Sequence, residues 1–183
     1  MSKKTVIACE EGRYENFTGI IMWGGTEGVV ENACFVLAEC FGLKLITFYF
    51  GTWVNGIWED GIWEKGYWKD GTLVDGIWKG GLWKDGVWDG GTWADGTWET
   101  GYWVKGTWKG GTWKSGRWKD GIWEDGIWED GVWWDGIWYA GVWEYGIWHR
   151  GNWKDGVWEN GIWKTGYDKN ECTRTVNPNN WKK

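Results

Sequence analysis

Gly121-Ile122-Trp123-Glu124-Asp125 is followed at once by Gly126-Ile127-Trp128-Glu129-Asp130. The same frame, Gly-x-Trp-x-x, runs without insertion or deletion from Gly51 to Asn170, in 24 consecutive copies. Gly fills the first position in all 24 and Trp the third in 22, with Leu73 and Asp168 as the exceptions. Such a short fixed period marks a stacked repeat and has to be read before any local propensity.

Two architectures suit a five-residue unit. In an antiparallel β-meander each unit is a three-residue strand and a tight turn. The Asp, Asn or Gly at position five in 16 of the 24 units, as in Asp60, Asp70 and Asp75, then supplies the turn chemistry. In a solenoid several units make one coil and the coils stack. Like charges directly opposite on neighbouring strands are unfavourable, so charge order discriminates. Position four, compared 20 residues apart, gives opposite signs in eight of nine charged pairs, as in Glu59, Lys79, Glu99 and Lys119. This favours four units per coil. Alternate residues of an extended segment face opposite ways, and charges are rarely buried unpaired. Positions two and four therefore face water and Trp faces inward. Gly also points inward, leaving room for the indole and permitting the corner.

The unit resembles that of the pentapeptide-repeat proteins, with Gly51 and Trp53, Gly56 and Trp58, and Gly61 and Trp63 on the family's two inward places. That resemblance covers residues 51–170 and implies a right-handed four-sided β-helix. Similar Gly-x-(Phe/Trp)-x-x arrays occur in bacteriophage proteins. The expected fold is thus all-β, a solenoid of about six 20-residue coils and about 29 Å tall. A small α/β N-terminal cap precedes it; the antiparallel meander is the alternative.

Residues 1–50 differ in composition from the array and form the expected cap. Thr5–Cys9 and Phe17–Trp23 read as strands. A helix follows from Thr26 to about Phe41, with Val30, Ala33, Cys34, Leu37 and Phe41 on one side. Leu43–Phe50 is a strand leading straight into Gly51. Residues 171–183 read as a C-terminal capping tail, with either Trp181 folded back over the interior or a disordered end at Asn179–Lys183.

Composition narrows function. The chain has 183 residues, 25 Trp, 33 Gly and a formal net charge of −6. Acidity disfavours nucleic acid as a partner, since that affinity rests on Lys and Arg contacts to phosphate. No signal peptide or membrane-length apolar run is present, so a cytoplasmic or virion-associated protein is expected. Cys9, Cys34, Cys40 and Cys172 match no zinc spacing and read as small buried hydrophobes in a reducing compartment. No nucleophile elbow or phosphate loop occurs, and the only histidine, His149, sits beside Arg150 at an outward position. No catalytic residue, metal or cofactor is expected.

A non-catalytic structural or protein-interaction scaffold follows, with self-association as one form of partnership. The alternatives are a DNA-mimicking topoisomerase modulator, which the resemblance implies and the mixed charges oppose, and a carbohydrate- or surface-contacting virion component. Two outward features are candidate contacts. One is a flat uncharged face made by Thr52, Val54, Thr72, Val74, Thr92 and Ala94. The other is an aromatic coil carrying Trp134, Tyr139, Tyr145 and His149, since exposed aromatics are enriched where partners bind.

Overall fold

The computed structural model describes residues 7–40, 43–167 and 173–174. It is an all-β solenoid with parallel rungs, so the meander does not form. Each rung is the two-residue strand at positions two and three of a unit, such as Ile77–Trp78, Thr92–Trp93 and Thr107–Trp108. The register pairs Ile77 with Thr92 and Thr92 with Thr107, so each unit stacks on the third unit before it. The coil is therefore three-sided, and 24 units correspond to eight turns, not the six four-sided coils expected.

The size of the indole accounts for three sides. The Trp side chains of the 22 Gly-x-Trp-x-x units are buried. Each lies edge-to-face on the next around the turn, as Trp93 on Trp98 and Trp98 on Trp103, both at 6.0 Å between centroids. Away from Leu73 each also stacks on the indole one turn away: Trp93 on Trp108 at 4.7 Å with an interplanar angle of 6°. Three such rings close around the axis. A fourth would open a gap across the diagonal, and protein interiors do not tolerate such voids. The charge alternation over four units relates positions on adjacent faces one turn apart and does not report stacking. At the true spacing Lys79 does pair with Glu64 at 2.9 Å, yet Lys69 lies one rung below Lys84, and Glu129 one rung below Glu144.

Two main-chain hydrogen bonds per unit hold the rungs. The position-two amide donates to a glycine carbonyl of the turn below (Thr92 to Gly76, 2.8 Å), and the position-four amide to a Trp carbonyl of that turn (Ala94 to Trp78, 2.7 Å). Asp at position five accepts from the glycine amide that follows it, as Asp95 does from Gly96 at 2.7 Å. The corner itself requires glycine. Gly101 has φ +125°, and a Cβ there would meet the Gly86 carbonyl oxygen at 2.5 Å. Close approach of the rung beneath is thus the main constraint, with Trp98 the nearest indole at 3.1 Å.

The N-terminal segment is a stack of long strands, not an α/β cap. β1 (Ile7–Ala8) pairs parallel with β2 (Gly12–Trp23), β2 pairs antiparallel with β3 (Thr26–Cys40), and β3 pairs antiparallel with β4 (Leu43–Trp58). β4 makes the first turn of the solenoid, carrying the rungs at Ile62, Tyr67 and Thr72 above it. The helix expected over Thr26–Phe41 does not form. Gly24 and Gly25 make a two-residue hairpin turn between Trp23 and Thr26, a placement favoured for such turns. The register of β3 on β4 shifts between Glu31 and Cys34, and Asn32 has φ 48°. That bulge turns Val30 and Ala33 to the same side, which mimics helical spacing. Thr26, where that helix was expected to begin, is buried and its hydroxyl accepts from the Glu59 amide at 2.9 Å.

One hydrophobic core runs through both parts. Trp63 stacks on Phe48 at 4.0 Å, Phe48 lies parallel to Phe35 at 6.4 Å, and Phe35 stacks on Tyr14 at 4.8 Å. At the other end Thr173–Arg174 pairs antiparallel with Gly166–Tyr167. Asp168, Cys172 and Trp181 lie outside the described residues. Cys34 is buried as expected of a small hydrophobe, but Cys9 is exposed.

Substitution at a corner should separate conformation from composition. Gly101→Ala is expected to cost ~3 kcal/mol or more, because it combines a disfavoured φ with a main-chain collision. Gly80→Ala, where a Cβ would meet nothing closer than 3.9 Å, should shift stability by no more than about 1 kcal/mol. Urea unfolding of both variants checks the contrast; equal midpoints would contradict the stacked corner.

A candidate binding groove around Trp134 and His149

Three-sidedness redistributes the outward residues. Thr52 pairs with Tyr67, Thr72 with Ile57 and Val87, and Thr92 with Ile77 and Thr107. Thr52 and Val54, Thr72 and Val74, and Thr92 and Ala94 therefore lie on three different sides. The flat uncharged face expected from them does not exist, because it assumed four units per coil.

The aromatic set divides as well. Trp134 and His149 occupy the same position on successive turns and meet directly, stacked at 4.0 Å with an interplanar angle of 10°. Tyr139 belongs to the next side and Tyr145 to a different corner, and both are exposed. Trp134 is 48% exposed, far more than any indole of the array. It follows Trp133, which is buried in the core column, so adjacent residues put one indole inside and one outside.

An open groove of about 910 Å³ surrounds the stacked pair. Its floor is one outward row, Lys119, Trp134, His149 and Lys164, at successive turns. The neighbouring corner row supplies Asp120, Asp135, Arg150 and Thr165. The core fixes this corner. The Trp133 indole donates to the Arg150 carbonyl at 3.1 Å, and the Trp148 indole to the Thr165 carbonyl at 3.1 Å. The Arg150 amide donates to the Trp134 carbonyl at 3.1 Å. Elsewhere many buried indole nitrogens sit beside a corner glycine of the next turn, as Trp108 does beside Gly126, without meeting hydrogen-bond geometry. The Arg150 guanidinium Nε pairs with Asp135 Oδ2 at 2.8 Å.

Sequence reasoning found Trp134 and His149 but not Lys119, Asp120, Asp135, Arg150 or Lys164. A comparison of positions three units apart is the signal that joins them. Among the described residues no group of three or more His, Cys, Asp or Glu side chains could hold a metal ion. There is also no helix among them long and apolar enough to cross a membrane.

His149 is held below its ordinary value of 6.5, first because the rung packing removes water from the ring and second because Lys164 lies nearby. A group lowered in the native state binds fewer protons there than in the unfolded chain. Its stabilising contribution is complete above pH 6.5 and is lost as the pH falls through the lowered value. Since His149 is the one histidine, its imidazole resonances can be followed without assignment. They should titrate below pH 6.5, and Lys164→Met and Trp134→Ala should each move the midpoint upward. A midpoint at or above 6.5 in the unmutated protein would remove the packed, lysine-flanked ring.

Compared with protein-family models, curated proteins and solved structures, the chain gives no match.

Proposed function

We propose that the protein is a non-catalytic scaffold, a stiff rod that presents a contact surface on one side. The observation that supports this most directly is the aromatic core, which only Leu73 interrupts among the described units. Stacked aromatic rings continue from Phe48 of the N-terminal strands through the array, and away from Leu73 each indole touches neighbours both around and along the rod. Rods built this way are quasi-one-dimensional, with each repeat stabilised by the ones beside it. No hinge is built into the array, where every described turn repeats the same pair of main-chain bonds. A fixed spacer or platform is the use that such a body serves best, and Trp134 with its flanking charges is the surface that departs from the pattern. A phage-encoded assembly role fits the same reading and rests on the resemblance of the repeat unit to bacteriophage arrays.

Amide hydrogen exchange tests the rod. Position-two and position-four amides between Ile62 and Lys164 should exchange slowly and together, through global opening. Fast local exchange of the turns between Lys119 and Thr165, with the rest protected, would replace the scaffold with a mobile, gated site.

A further inference from the structure

We infer that the groove over Trp134 and His149 is a binding site for a carboxylated sugar, carried on an acidic oligosaccharide or polysaccharide. This rests on the groove being a contact surface of the rod and adds the chemical class of what it contacts.

The outward rows elsewhere mostly carry Lys, Glu, Thr, Ile or Val. Here a large indole stands half in water, with one ring face covered by His149. An exposed indole offers an apolar platform of the kind that ring-shaped ligands cover. Lys119 and Lys164 flank the aromatic pair at either end of the row. Neither is in an ion pair among the described residues, where the pairs are Arg13 with Glu15, Lys79 with Glu64 and Arg150 with Asp135. Both ammonium groups are therefore available to an anion. With His149 neutral, three cations and two carboxylates line the groove, giving +1 locally on a chain of net charge −6.

The two carboxylates decide between anions. Asp120 lines the groove, its Oδ1 accepts from the Gly121 amide at 2.7 Å, and no described residue donates to its Oδ2. An ionised carboxylate only accepts hydrogen bonds, so that oxygen calls for a ligand with donors. Asp135 is committed through Oδ1 to the Gly136 amide and through Oδ2 to Arg150. The pairing leaves the Arg150 Nη groups free to donate. Phosphodiester chains and acidic peptides present mostly acceptors, and Asp120 and Asp135 would repel them. A carboxylated sugar carries every complement at once. Its hydroxyls donate to Asp120 and accept from Arg150. Its carboxylates pair with Lys119 and Lys164, and its apolar ring face covers Trp134. The corner residues are already fixed by the Trp133 and Trp148 indoles, which lowers the ordering cost of binding.

The test uses the full chain and three probes: galacturonate, glucuronate and sialic-acid oligosaccharides, each beside its neutral methyl ester. The His149 imidazole resonances report binding, with hexaglutamate as the acidic-peptide control. At least one acidic oligosaccharide should shift them saturably, more strongly than its ester. Trp134→Ala should weaken binding by about tenfold or more. Lys119→Met combined with Lys164→Met should abolish the preference for acid over ester. These side chains are outward, so near-ultraviolet circular dichroism should stay that of the unmutated protein. The inference is overturned if no acidic sugar shifts the resonances at millimolar concentration. Equal binding by Trp134→Ala, or hexaglutamate binding as tightly as the best sugar, overturns it too. Slow, uniform hydrogen exchange alongside any of those failures would leave the scaffold standing and remove only the ligand class.

Discussion

Packing indoles three to a turn is the constraint on which the rest of this structure depends. Burying one such ring removes roughly 150–250 Å² from water, worth about 4–6 kcal/mol at about 25 cal/mol per Å². The same packing leaves many indole N–H groups without a geometrically sound acceptor, at about 1–3 kcal/mol each. The apolar gain exceeds that cost, and edge-to-face and stacked contacts add to it. Once three rings must close around the axis, the coil holds three units and each corner must turn more sharply than in a square. Corner glycines at φ values such as +125° for Gly101 follow, as does the close approach of each glycine to the one beneath.

The sequence carried some of this openly. Gly at one, Trp at three and polar or β-branched residues at two and four define an inward and an outward side whatever the number of units per turn. For the same reason the pattern is silent about that number. Only contacts between turns carry it, and the outward charges that were asked to report it are poor witnesses. An exposed pair contributes little in water, so Lys69 below Lys84 is tolerated and an alternation over four units, between adjacent faces, can persist. The indole volume was the better witness, because a core cannot hold a void. In the N-terminal strands the false helix has a similar origin. A bulge at Asn32 puts Val30 and Ala33 on one side, and their spacing then imitates a helix. The Gly24-Gly25 pair between two apolar runs was the local signal for a hairpin.

Errors in the coil length carry directly into the surface. A candidate contact on a solenoid is a set of residues separated by whole turns, so it dissolves when the period changes. Thr52, Thr72 and Thr92 were neighbours only with four units to a coil. Trp134 and His149 become neighbours only with three, and Lys119 and Lys164 join them for the same reason.

The groove also shows how a repetitive core can hold a specific site without giving up regularity. Every functional departure lies at positions four and five, which face water. Position three beneath them keeps its Trp, at Trp118, Trp133, Trp148 and Trp163. The buried column thus supplies the rigidity, and through Trp133 and Trp148 it also supplies hydrogen bonds that fix the corner where Arg150 and Thr165 stand. Exposing Trp134 gives up the apolar burial that the core indoles keep. That loss is tolerable in a rod whose stability is spread over 22 buried indoles of the array, and it is explained by a ligand that covers the ring. A position with no such use could carry a charge, as Glu59 and Asp89 do in the same outward row.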